Sequence, residues 1–454
     1  MSVASDRTPS NVIVVGAGLA GSLMSILLAR RGHRVQLFER FADMRRESIP
    51  AGRSINLALA ARGIRALELA GVMPTVLPLL IPMRGRMLHA QDGALTFMPY
   101  GQQEHEVIYS VSRPGLNRVL LDAAEQAGVD VQFGRTLEHV DLAQRRLTFL
   151  QKGKRQEIGF TTLIGADGAG SVVRRALIEQ HGVECSEELL PHLYKELTLP
   201  PRADGRHRLE KNALHIWPRG GFMLIALPNL DGSFTVTLFL PARGDPSFEM
   251  LKDPTAVESF FATHFADARE LMPDLAQEFA AHPEGIMGTI RCARWGTDDV
   301  LLIGDAAHAI TPFHGQGMNC AFEDCRVLDE ILATEGDWPR AFARFEAARK
   351  QDANAIADMA LENYVEMRDS VRDPKFQLQK ALSLELEKRH PERFVPRYSM
   401  VMFHDEVPYS VAFARGQIQQ EILDELTQNA TSLAEIDYER AAALIEQRLT
   451  QIRP

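Results

Sequence analysis

The stretch NVIVVGAGLAGSLMSILLARRGHRVQLFER, residues 11–40, decides the fold. Val12 to Val15 form an apolar run, a glycine-rich turn follows, an apolar segment continues through Ala29, and Val35 to Phe38 form a second run. That order predicts a strand, a helix and a second strand, a βαβ unit. The turn GAGLAG, residues 16–21, satisfies G-x-G-x-x-G directly after a strand and opens a helix. Backbone N–H groups and the helix dipole can then meet a pyrophosphate. Gly16 permits the tight turn, Gly18 the close approach of the ligand, and Gly21 the packing of the helix. Glu39 ends the second strand, where a carboxylate accepts hydrogen bonds from ribose hydroxyls; Leu19 and Arg40 complete this cofactor-binding set. An acid at that place disfavours a 2′-phosphate, so the dinucleotide is FAD or NAD rather than NADP.

Working outward, the 454 residues are enough for two or three structural units. The formal charge of -10 gives no general attraction to phosphate backbones, which argues against nucleic acid as a partner. Cys185, Cys292, Cys320 and Cys325 show no CxxC or Cys/His pattern for a metal, and they are too sparse for a disulfide framework. A reducing, cytoplasmic setting is expected. The polar opening MSVASDRTPS lacks the apolar core of a signal peptide, and no apolar run has the length of a membrane span, so a protein free of membranes is expected.

Residues 212–241, NALHIWPRGGFMLIALPNLDGSFTVTLFLP, read as strands broken by Gly-Gly and Asp-Gly turns. Phe234, Val236, Leu238 and Leu240 alternate with Ser233, Thr235 and Thr237, the pattern of a strand with one buried face. From about Cys320 the pattern turns helical, ending in an amphipathic segment at 438–452. The expected class is α/β, a Rossmann-like FAD-binding domain with an inserted β-sheet substrate domain and a helical C-terminal region. The FAD-binding domain takes residues 1–75, 103–180 and 290–350, the substrate domain 76–102 and 181–289, and the helical region 351–454.

Two further segments choose FAD. LLIGDAAHAITPFHGQGMN, residues 301–319, resembles the GD segment of flavoprotein hydroxylases, whose Asp, here Asp305, binds the ribityl chain. Gly315 to Asn319 then place a helix N-terminus beside the flavin pyrimidine ring, with Gly317, Met318 and Asn319 as contacts. Positive potential there stabilises anionic reduced flavin. LIGADGAGSVVR, residues 163–174, resembles the DG fingerprint of the same enzymes through Asp167, Gly168, Ser171 and Arg174. Read for packing alone, Asp167 and Arg174 hold a turn and a helix start. No second G-x-G-x-x-G follows, so a separate NAD(P)H domain is absent, and the resemblance alone implies NADPH as a transient co-substrate.

Blocks along nearly the whole chain are similar to the kynurenine 3-monooxygenase family: GRSINLAL at 52–59, MRGRM at 83–87, PYG at 99–101, LHIWPRG at 214–220, PFHGQGMNCAFEDC at 312–325, LENYVEM at 361–367 and RYSMV at 397–401. The resemblance weakens in the last fifty residues. There eukaryotic members carry a membrane anchor, while this chain has FARGQIQQEILDEL, which supports a soluble, bacterial-type enzyme. The resemblance implies that Arg86 and Tyr100 hold the substrate carboxylate with Asn363 and Tyr398, and that Phe313 and His314 line the substrate cavity. It also implies that Arg113, Ala58 and Leu137 contact FAD.

Without the resemblance, Arg84 and Arg86 read as a solvated pair, and Arg113 as a surface or capping residue. Asn363 has support of its own: it falls with Ile356, Met359 and Met367 at helical spacings of 3 and 4, one amide on an apolar stripe. A buried amide needs a partner, either a ligand or a neighbouring helix.

The implied reaction is hydroxylation of L-kynurenine to 3-hydroxykynurenine in tryptophan catabolism. NADPH reduces FAD, dioxygen adds at flavin C4a, and the hydroperoxide delivers oxygen ortho to the ring amine. No side chain is assigned as acid or base. The alternatives are another single-component flavin hydroxylase on the same fold, or a non-catalytic FAD-binding protein. The WxWxIP segment of halogenases is missing. The oligomeric state, monomer or homodimer, stays open.

Overall fold

The computed structural model describes residues 10–47, 56–369 and 373–452. Residues 52–55 of the GRSINLAL block lie outside them, as does the side chain of Met367. The chain divides into two compact units, one of residues 1–79, 111–189 and 288–354, the other of residues 80–110, 190–287 and 355–454.

In the first unit the βαβ reading holds: strand Asn11–Val15, helix Leu19–Arg30 and strand Arg34–Phe38, with Val12 paired in parallel to Val35. These strands centre a five-stranded parallel sheet ordered Val300–Leu302, Thr162–Gly165, Asn11–Val15, Arg34–Phe38, Asp130–Gln132. Val12 to Val15 are buried on both faces, which is why the run is continuously apolar rather than alternating. Helix Leu19–Arg30 is buried from Gly21 to Leu28, packed by helices Arg113–Gln126 and Gly317–Thr334. A second, antiparallel sheet joins Thr136–Asp141, Arg146–Gln151 and Lys154–Gly159.

The second unit is built on a seven-stranded sheet. From Cys185–Leu199 it runs Phe234–Pro241, Met223–Pro228, Ala213–Pro218, Gly85–His89 and Leu95–Pro99, with Gly285–Cys292 beyond the first. Gly220, Gly221 and Gly232 take positive φ in the two expected turns. The strand Phe234–Pro241 departs from its expected single buried face. Phe234, Val236, Leu238 and Leu240 pack with Phe260, Phe261 and Phe279 of the helices beneath, yet Thr237 and Phe239 on the other face are also buried. Small hydroxyls at 235 and 237 imitate a solvent face without having one.

Helices Pro374–Arg389, Tyr409–Leu426 and Tyr438–Arg448 enclose a satellite core around Leu382, Leu386, Phe394, Ile422 and Ile445. The last helix stops at Arg448, short of the expected 452. Leu449 turns extended and stays buried, and the Ile452 N–H donates to the Glu392 carbonyl. Among the described residues no helix is long and apolar enough to cross a membrane.

Candidate functional site

The glycine turn performs three distinct tasks. Gly16 has φ of 100°, and a Cβ there would lie 2.4 Å from the Ala166 carbonyl oxygen. A Cβ on Gly21 would lie 1.9 Å from the Gly16 carbonyl oxygen, so helix and turn touch through bare backbone. Around Gly18 the space is open. No described side chain caps helix Leu19–Arg30, and its first turn carries no acid, so its N–H groups face that opening. Glu39 is fixed beside the turn: its carboxylate accepts from the N–H of Ala17 at 2.9 Å and of Phe41 at 3.0 Å. Arg40 is exposed, its guanidinium 4.7 Å from the Phe41 ring centre.

Asp305 opens the short helix Asp305–His308 and is exposed. Helix Gly317–Thr334 starts at Gly317 with no side-chain cap and no acid in its first turn. Met318 and Asn319 are buried. Asn319 accepts from the Ala60 N–H at 2.9 Å and donates to the Ala58 carbonyl at 2.9 Å, tying the helix start to the segment after residue 56. Phe313 and His314 form the 3-10 turn just before these glycines, both buried. Arg113 is exposed at the first position of helix Arg113–Gln126, and Leu137 is buried in the strand Thr136–Asp141.

Asp167 accepts from the Ser171 hydroxyl at 2.5 Å and the Val172 N–H at 2.7 Å, and burial raises its pKa. Arg174 donates to the Ala306 and Ala169 carbonyls. Their packing role is thus on view: they hold a turn and a helix start. Two uncapped helix N-termini, an open glycine, the anchored carboxylate of Glu39 and the exposed one of Asp305 suit the pyrophosphate and sugar-like chain of FAD.

In the second unit, Arg86 leaves the strand Gly85–His89 toward two tyrosines. Its guanidinium carbon lies 5.0 Å from the Tyr398 ring centre and 5.8 Å from that of Tyr100, and the rings stack at 5.4 Å. Arg86 Nε and the Tyr100 hydroxyl are out of contact with solvent and meet no hydrogen-bond partner of good geometry. Arg86 and Tyr398 are nonetheless close enough to act on the acidity of Tyr100. Burial dominates, however, and pushes the Tyr100 phenol well above its usual value. Arg84, two residues earlier, is exposed. Asn363 is buried on helix Trp338–Asp369 with Ile356 and Met359, as the stripe predicts.

Sequence reading missed two residues here. Glu366 and Lys380 line a narrow pocket with Arg86, Leu88, Met98, Ile216 and Phe376. Burial lowers the Lys380 pKa, opposed by Glu366 and reinforced by Arg86. Glu366 follows Asn363 by three, so the same helix-face argument could have found it. Lys380 had no comparable signal. In the first unit, His308, Cys320 and Asp324 gather their ligand atoms within 4.8 Å of one another. Eleven residues lie between His308 and Cys320, and neither belongs to a short CxxC or HxxxH pair that would have flagged a metal site.

Residues 9–359 match the family described as FAD binding domain. The chain is 49% identical over 445 residues to kynurenine 3-monooxygenase of Xanthomonas campestris pv. campestris (strain 8004), covering 97% of each chain. It is 48% identical over 451 residues to kynurenine 3-monooxygenase of Myxococcus xanthus (strain DK1622), covering 98% of this chain and 97% of the relative. Among solved structures, the tetrameric form of 2-methyl-3-hydroxypyridine-5-carboxylic acid oxygenase shares the fold, with a TM-score of 0.66 at 21% identity over 84% of this chain and 98% of that one. P. aeruginosa PqsL in complex with 2-aminobenzoylacetate gives a TM-score of 0.65 at 21% identity over 80% of this chain and 97% of that one. With the glycine turn, the GD segment and the paired tyrosines in place, the chain belongs to the kynurenine 3-monooxygenase family of FAD-dependent monooxygenases.

Proposed function

We propose that the chain hydroxylates L-kynurenine on the ring carbon ortho to its amine, using one NADPH, one proton and one dioxygen and releasing NADP⁺ and water. The observation that carries this reading is Arg86, half-buried between two tyrosine rings, with its Nε and the Tyr100 hydroxyl shielded from solvent and lacking a hydrogen bond of good geometry. A substrate carboxylate meets that need. Guanidinium grips it with two parallel charge-assisted bonds, and the Tyr100 phenol, a donor already and with its pKa raised further by burial, gives a third. Asn363 and Tyr398 complete the clamp, and Glu366 offers an acid for the substrate ammonium.

Bound FAD, reduced by NADPH and exposed to dioxygen, supplies the electrophilic oxygen. Gly16 to Gly21 would hold its pyrophosphate, Glu39 the ribose and Asp305 the ribityl chain, and the start of helix Gly317–Thr334 would lie toward the flavin ring. Arg113 pairs with phosphate or ribityl oxygen. The amine of kynurenine already feeds electron density into the ring, so the chain needs no base to activate it. Its tasks are to orient the ring and to keep water away.

The test is NADPH oxidation by purified protein with and without kynurenine, with the product weighed by mass spectrometry. Kynurenine should stimulate oxidation and gain one oxygen atom. Stimulation without an oxygenated product, or none at all, overturns the reading.

A further inference from the structure

Behind the Asp305 turn lies a buried charge network that the hydroxylation reaction does not itself use. Asp324, on helix Gly317–Thr334, is fully buried and its two oxygens are both engaged. Oδ2 accepts from the Gly304 N–H at 3.0 Å and faces His308 Nε2 at 2.6 Å; Oδ1 accepts from Arg349 Nε at 2.9 Å. Arg349 also pairs with Glu323 at 2.7 Å, and Glu323 with Arg62 at 3.8 Å. Burial opposes charge on Asp324 and on His308, yet pairing prevails: Asp324 is held below the ordinary carboxylate range and His308 well above the ordinary imidazole value. Although His308, Cys320 and Asp324 could approach a cation, the Arg349 guanidinium already occupies Asp324 and would repel one.

Gly304 is the telling partner. It has φ of 55° and ψ of -141°, and a Cβ there would lie 3.1 Å from the Ala321 methyl. Its amide hydrogen bond therefore fixes an unusual backbone turn immediately before Asp305. We infer that Asp324 is a positioning residue for the flavin: through the Gly304 amide it locks the Asp305 turn to the helix Gly317–Thr334, whose N-terminus would lie toward the flavin ring. His308 shares the oxygen that holds Gly304, and Arg349 balances the charge through the other oxygen. The inference rests on Asp305 as the ribityl ligand.

The experiment compares Arg349→Met, which leaves the Asp324 contact with Gly304, and Arg349→Met/Asp324→Ala, which removes it. The FAD dissociation constant of each apo-protein is measured by flavin fluorescence, with the melting temperature of the apo-protein and the midpoint potential of the bound flavin beside it. Arg349→Met should change FAD affinity by less than about threefold, and the double variant should weaken it about tenfold or more. Only the double variant should shift the potential. Equal affinity and potential in both variants overturn the inference. Asp305→Ala runs in parallel: unchanged affinity there, with the double variant still weakened, faults the ribityl assignment and leaves the network standing. If either variant fails to fold, hydrogen exchange of the unmodified apo-protein decides. Slow exchange at the Gly304 amide before FAD is added supports a preformed turn, and exchange as fast as in an exposed loop refutes it.

Discussion

Arg349 and Arg86 are both arginines withdrawn from water, and their surroundings differ in kind. Arg349, in the first unit, meets the carboxylates of Asp324 at 2.9 Å and Glu323 at 2.7 Å, with Asp352 at 3.5 Å. Arg86, in the second, faces aromatic rings, and its Nε lacks a hydrogen bond of good geometry. A guanidinium that serves the fold brings its counter-charges from the same chain. Arg86 has one carboxylate near it, that of Glu366, and an Nε left without a hydrogen bond, a shortfall that the proposed clamp would fill with a ligand anion. Folding tolerates the shortfall because flat rings partly compensate a cation through their π faces.

The contrast breaks first on stability. Arg349→Met should cost about 3–5 kcal/mol of unfolding free energy, since it strands buried carboxylates, whereas Arg86→Leu should cost nothing or stabilise. Urea denaturation of both variants measures this. A large loss in Arg86→Leu would make Arg86 a structural residue too. Ligand binding should reverse the order: Arg86→Leu weakens kynurenine binding by about 2–5 kcal/mol, roughly thirty-fold to several thousand-fold. Isothermal titration with FAD-loaded protein reads it.

Both arginines show how far sequence carries. The βαβ unit was legible because three independent signals, an apolar run, a glycine turn and an acid, fall within 30 residues and obey local rules. Asn363 was legible because a polar residue on an apolar helix stripe violates a pattern. Asp324, His308 and Arg349 were not, because their meaning is a convergence of residues 308, 324 and 349 that no local period encodes. Thr235 and Thr237 misled for the reverse reason: alternation reports polarity, and small hydroxyls can be buried in a sheet. Arg86 needed resemblance, since Arg84 beside it looks the same until one side chain is seen exposed and the other tucked against rings.

The strand that carries Arg86 also ends in a titratable relay. His89 Nδ1 faces Asp267 at 2.8 Å, and His89 Nε2 faces His215 Nδ1 at 2.8 Å; His215 Nε2 donates to the Glu210 carbonyl at 2.8 Å. With Nε2 donating, His215 Nδ1 must accept, and burial depresses its pKa to about 4 from 6.5. The unfolded chain therefore takes up a proton at this residue that the folded one refuses. Its contribution to stability is complete above about pH 6.5 and is lost as pH falls toward 4, about 3 kcal/mol in all. His215→Asn should flatten the fall in melting temperature between those pH values relative to the native chain. Parallel pH profiles would show that the relay does not titrate on unfolding.

The smallest expected effect sharpens the comparison most. Arg84 sits on the same short segment as Arg86 and carries the same charge, so Arg84→Leu changes the net charge and the long-range field identically. Being exposed, it should alter stability and kynurenine affinity by only about 0.5 kcal/mol or less. The difference between the two leucine variants is then the value of placement alone. The decarboxylated analogue of kynurenine completes the cycle: it should bind the native protein poorly and lose little more in Arg86→Leu, because the carboxylate that Arg86 would hold is already gone. Equal losses for both ligands in Arg86→Leu would assign that arginine to shaping the pocket wall. An Arg84→Leu variant as weak as Arg86→Leu would instead mean that a diffuse positive field, rather than a seated guanidinium, draws the substrate in.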